Sequence, residues 1–222
     1  MDALIAEFPL YVRGLLGTLL ICLIAGIGAL IWGTVLAAFR VSPVPPLRFV
    51  GLAWVTVFRN SPLAVVLFTF AFALPAVGVR FPNFNGNAFF WPGVFGLICY
   101  TAAFVCEAVR SGINSVPPGQ AEAARAVGLT FQQTLSAVVL PQAIRTVVPP
   151  LGSVMIAMIK NSAIVGAFGV AGELLSVEGA LTASGMYSSL SILTGIAIAF
   201  LVITIPAGIG LGVLERRIEV KR

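Results

Sequence analysis

Two polar triplets stand inside otherwise apolar stretches of this chain: Arg59-Asn60-Ser61, followed by Pro62, and Lys160-Asn161-Ser162. A cation among apolar residues is costly unless it faces a partner or a cavity. Such groups suit holding an anion, and the six residues are candidates for a substrate pathway. The opposing reading is structural: Arg59 and Lys160 pair with Glu107 or with backbone carbonyls. Bond-making chemistry has little to build on. There is no His, which excludes His metal sites and His general bases, and the few acids form no visible catalytic constellation. Cys22, Cys99 and Cys106 lie in apolar runs without CxxC spacing. They are expected to pack as small hydrophobes, with no metal and no disulfide. No GxxxxGK[ST] phosphate loop is present, so hydrolysis of ATP by that route is excluded.

The elements that position these residues are membrane spans. Of the 222 residues, 59% are hydrophobic and 9% charged, against about 25% charged in soluble domains. Mean hydropathy is +1.06. Five spans are predicted, at about 14–39, 49–78, 91–110, 144–170 and 190–214, in an all-α membrane domain covering residues 1–222. Residues 1–13 read as a short interfacial segment. Asp2 and Glu7 precede the first apolar run, where a cleaved signal would carry positive charge. That run is therefore expected to be retained. Gly26, Gly28 and Gly33 within it suit close helix packing. Pro62 should kink or break the second span. Lys160-Asn161-Ser162 predicts a second break, in the fourth span.

An odd number of spans separates the two ends. Nine Arg and Lys residues (Arg40, Arg48, Arg110, Arg125, Arg145, Arg216, Arg217, Lys221 and Arg222) fall on one side, and Arg13 and Arg80 on the other. The positive-inside tendency then puts the N-terminus outside and the C-terminus in the cytoplasm. It also accounts for the net charge of +5 without nucleic acid.

The longest polar stretch, 111–143, lies on the same cytoplasmic side. Pro117 and Pro118 suit a first helical turn. Glu122 favours the helix dipole and is spaced to pair with Arg125. Gly128 is placed for a left-handed cap. Thr130 with Gln133 forms a capping box for a second short helix, with Pro141 after it. Ala123, Ala124 and Gly128 leave one surface nearly bare. By these features alone the stretch is either an amphipathic connector on the inner leaflet or a docking element for a soluble partner.

The run Glu122-Ala123-Ala124, then Gly128, Val138 and Leu140-Pro141 resembles the EAA motif of ABC importer permeases, with Val138 where Ile is usual. Further matches point to the polar amino acid importer subfamily and to actinobacterial glutamate importer permeases. They are Gly14, Thr18-Leu19, Phe58 to Leu63, Glu107, Arg110, Gly112-Ile113, Pro117 to Gln120, Pro141-Gln142-Ala143 and Lys160-Asn161-Ser162.

The resemblance implies a type I importer permease fold with a cytoplasmic coupling helix. It also implies a second permease subunit, identical or related, two ABC ATPase subunits and an external amino-acid-binding protein, all in or on a bacterial cell membrane with its lipid. ATP and Mg²⁺ would sit on the ATPase, with no cofactor on this chain. Gln120, Glu122, Ala123, Ala124, Gly128, Leu129 and Pro141 would carry the ATPase contact. Thr56 stands where relatives often have Glu, and Asn161 where they have Asp. Losing two carboxylates leaves a more positive pathway, which favours glutamate or aspartate. Competing functions are an importer for another polar amino acid, an ion-driven secondary transporter, and a membrane scaffold. The last two leave the EAA spacing or the intramembrane cations unexplained.

Overall fold

Apolar runs without competing charge dictate helices, because a span must satisfy its backbone hydrogen bonds internally. The computed structural model describes residues 2–170 and 172–218. Chain order is α1 (Asp2–Ala6), α2 (Phe8–Val41), α3 (Pro45–Asn60) and α4 (Leu63–Phe68), then a π turn (Thr69–Ala73) and α5 (Leu74–Ala76). After the polar loop come α6 (Phe90–Asn114), α7 (Pro118–Ala126), α8 (Phe131–Thr134), a second π turn (Leu135–Val139), α9 (Leu140–Ala167), α10 (Ser176–Ser184) and α11 (Ser189–Ile218). Among the described residues, four continuous helices are long and apolar enough to cross a membrane: Phe8–Val41, Phe90–Asn114, Gln132–Ala167 and Ser189–Ile218. A fifth crossing requires α3 to α5 to count as one span, and these are bent by 110° at Ser61-Pro62. The basic tail residues Lys221 and Arg222 lie outside the described residues.

The central helix is α6, which packs on α2, α3, α4 and α9. Its inner residues Val94 and Leu97 meet Ile21, Leu67, Met158 and Val165. Nearer its C-terminus, Ala102, Ala103 and Cys106 meet Leu36 and Val55. Helix association in lipid depends on van der Waals fit and small residues. Gly33 supplies that fit: a Cβ there would lie 2.5 Å from Val105. A separate cluster of Tyr11, Leu174, Val177 and Ile192 joins α10 and α11 to the start of α2.

Two expectations about breaks are corrected. Lys160-Asn161-Ser162 lies in the unbroken α9, because none of the three residues removes a helix hydrogen bond. Pro141 does not follow a second short helix; the helix continues from Phe131 to Ala167. Pro141 has no N–H, and its ring would clash with the carbonyl of Ala137 in a regular helix. The wider π turn just before it absorbs that misfit, with the Leu140 N–H donating to the Leu135 carbonyl. The Gln142 side-chain amide donates to the Val138 carbonyl at 3.0 Å. The fourth span therefore begins well before residue 144.

Candidate functional site

The polar insert is a small element on a fixed mount. α7 begins at Pro118, with Pro117 in extended geometry ahead of it. It ends in a Schellman motif: the Gly128 N–H donates to the Arg125 carbonyl at 3.0 Å, and the Leu129 N–H to the Ala124 carbonyl at 3.2 Å. Gly128 has φ +91°, a left-handed value that side-chain-bearing residues adopt only at a cost. The next helix starts on a reciprocal capping box. The Thr130 N–H donates to Gln133 Oε1 at 2.9 Å, and the Gln133 N–H to Thr130 Oγ1 at 3.3 Å. Gln120, Glu122, Ala123 and Gly128 are exposed, whereas Ala124 is buried and Leu129 half-buried. The Glu122–Arg125 pair does not form; every ion pair among the described residues is made by Glu107. Both residues point to solvent, where such a pair gains little.

The insert is pinned at its base. The Ser115 hydroxyl, just past the end of α6, donates to Thr146 Oγ1 on α9 at 2.9 Å. Thr146 Oγ1 lies within hydrogen-bond distance of the Gly112 carbonyl, at 3.1 Å, and of the Ala143 carbonyl, at 2.9 Å. Gly112 lets Val147 approach closely, in a space that any side chain would fill. These contacts tie the end of α6, from which the insert leaves, to the start of α9, to which it returns.

Of the pathway candidates, Arg59 takes the structural partner. Its guanidinium lies 3.6 Å from Glu107 Oε2 and over the Phe104 ring. Glu107 also holds Arg40 and Arg110, each at 3.0 Å. Asn60 and Ser61 turn back on α3, donating to the carbonyls of Thr56 at 2.7 Å and Val57 at 2.8 Å. They satisfy the helix end that Pro62 leaves open. Arg59 and Asn60 line a cavity of about 350 Å³ with Thr56, Arg40 and Glu107, and Lys160–Ser162 are not part of it. No hydrogen bond or ion pair joins the two triplets among the described residues. Lys160 is exposed and Asn161 half-buried, while Ser162 is fully buried.

Ser162 leads to a residue that the sequence pattern did not single out. Glu173, in the connector after α9, is 0% exposed. Its carboxyl accepts from the Thr18 hydroxyl at 2.9 Å and the Leu175 N–H at 2.6 Å, and it lies against the Ser162 hydroxyl. Thr18 Oγ1 in turn accepts from the Leu174 N–H at 3.0 Å. Gly166 makes room for the carboxyl, and Gly17 for the Gly172 carbonyl. Burial pushes the Glu173 carboxyl up to about 7; the Leu175 N–H, the Thr18 hydroxyl, the Leu174 N–H and the Ser162 hydroxyl pull the other way.

Comparison with known proteins matches residues 29–220 to the family described as the inner membrane component of binding-protein-dependent transport systems. The chain belongs to that family. It is 39% identical to the probable glutamine ABC transporter permease protein GlnM of Bacillus subtilis, over 99% of this chain and 98% of that one. It is 38% identical to the glutamate transport system permease protein GluC of Corynebacterium glutamicum, over 92% of each. The crystal structure of an amino acid ABC transporter with histidines superposes with TM-score 0.88 at 32% identity, covering 97% of each chain. These findings bear out the resemblance read from the EAA spacing and the type I permease fold.

Within this permease, a second residue escaped the sequence reading. Val127 is 79% exposed at the turn between Ala126 and Gly128. Its aliphatic side chain is held out to solvent on the capped turn. The signal was its place beside a left-handed glycine, and only the fold shows that nothing among the described residues covers it.

Proposed function

We propose that this permease is the membrane subunit of an ATP-driven amino acid importer with an acidic substrate, glutamate before aspartate. One observation supports the coupling role: a capped helix and turn, exposed on its outer face, carried between the ends of α6 and α9 where these are tied together. Two ABC ATPases holding ATP and Mg²⁺ would receive it, one beneath this chain and one beneath a second permease subunit, identical or related. An external binding protein would deliver the amino acid, and the chain itself would hold no cofactor and no metal. The N-terminus lies outside the bacterial cell membrane and the C-terminus in the cytoplasm, following the positive charges. ATP-driven closure of the ATPases would draw the two coupling elements together and rock the spans.

Gln120, Glu122, Ala123 and Gly128 make the ATPase contact in this reading, together with Val127. Ala124, Leu129 and Pro141 shape the element from behind. The substrate choice rests on less charge than the sequence implied, because Glu107 compensates Arg59. Lys160 keeps it: an exposed ammonium without an ion pair among the described residues, followed by Asn161 in place of an acid. The GluC relatives support glutamate, and GlnM makes glutamine the second reading. Uptake of labelled glutamate into proteoliposomes holding the whole complex tests this. Glutamate should compete better than glutamine, and Lys160→Gln should narrow that preference by about tenfold, the effect of one lost charge-assisted contact of 1.4 kcal/mol. A wild-type preference for glutamine would overturn the acidic assignment and leave the importer standing.

A further inference from the structure

Three helix ends bring arginines to one cavity of about 430 Å³. Arg40 comes from the last turn of α2, Arg48 from the first turn of α3 and Arg110 from the last turns of α6; Val41, Leu52 and Asn114 complete the wall. Among the described residues the only carboxylate ion-paired with this group is Glu107, and its two oxygens already serve Arg40, Arg59 and Arg110. Arg48 is exposed and has no ion pair among the described residues. Four guanidiniums against one carboxylate leave a local excess of positive charge around this recess. Guanidinium groups match phosphate oxygens in a forked geometry.

The surroundings indicate which phosphate. Leu52 in the cavity wall belongs to a helix, α3, that exposes apolar side chains: Phe49 is 70% exposed, Val50 46% and Leu52 48%. A free phosphate has no use for that surface, whereas a phospholipid would lay its acyl chains on it. We propose that Arg40, Arg48 and Arg110 bind the phosphate of an anionic phospholipid, with the chains along α3. Basic recesses between spans are a recurrent lipid-headgroup site, and each arginine near the surface adds about 1 kcal/mol, roughly a fivefold effect. The site is independent of substrate choice, and lipid there would brace the α2–α3 corner beside the Glu107 cluster.

Native mass spectrometry of the complete transporter, relipidated in turn with phosphatidylglycerol and phosphatidylcholine, reads this directly. The wild type should retain phosphatidylglycerol over phosphatidylcholine. Arg48→Gln, which leaves every Glu107 ion pair intact, should weaken that preference by about fivefold. Arg217→Gln, far along α11, is the control and should leave it unchanged. Inorganic phosphate added at millimolar concentration should not displace the lipid. Equal retention of the two lipids, a preference indifferent to Arg48→Gln, or displacement by inorganic phosphate would each overturn the proposal; the last would assign the recess to free phosphate.

Discussion

Glu173 is a carboxyl whose protonation state the fold controls. Its value of about 7 stands above the ordinary 4.5, so the folded protein holds a proton that the unfolded chain releases between those two values. The junction of Thr18, Ser162 and Glu173 is therefore at full strength below about pH 4.5 and weakens as pH rises through 7, by at most about 1.4 kcal/mol per pH unit. Thermal unfolding of the detergent-solubilised complex between pH 5 and 8 should show that decline, and Glu173→Gln should flatten it. A slope unchanged in the variant would mean that the carboxyl does not titrate there. The sequence hid this residue because its burial depends on Thr18, 155 positions away. Features set by neighbours were legible: the left-handed Gly128 and the Thr130–Gln133 box need only local chemistry. Arg59 was half legible, since its pairing with Glu107 was one of two readings and the fold selects it.

At the scale of elements, a single dipeptide separates α3 from α4. Asn60 and Ser61 close the end of α3, and Pro62 denies the next turn its hydrogen bond. Pro62→Ala should let the helix run on, at some cost to the packing of Leu63 and Leu67 on α6. Spin labels at Val50 and Phe72 would then move apart, toward about 33 Å, the rise of the intervening residues in a straight helix. An unchanged distance would show that tertiary packing, rather than Pro62, sets the bend. The comparison with α9 explains why breaks were only partly readable. Pro62 removes a donor and breaks its span, whereas Lys160, Asn161 and Ser162 keep theirs. Pro141 was misread for a different reason: a π turn can carry a helix past a proline, and nothing in the local pattern distinguishes that from a stop.

In the proposed function the whole molecule acts as a lever. The element at Pro118–Thr130 would receive force; α6 and α9, tied together at its base, would carry it, and the spans would change access. The all-helical membrane class was plain from composition, while the mount formed by Gly112, Ser115 and Thr146 was not, because it joins residues on two different helices. The most direct test is glutamate uptake by the reconstituted complex with ATP enclosed on the ATPase side, comparing wild type with Gly128→Val. A valine at φ +91° is strained by roughly 1–2 kcal/mol, enough to reshape the turn while the spans stay folded. The predicted result is uptake that requires both ATP and the binding protein, and that falls at least tenfold in Gly128→Val while the complex keeps its thermal stability within a few degrees. Uptake driven by an ion gradient without ATP, or full uptake in Gly128→Val, would contradict the account.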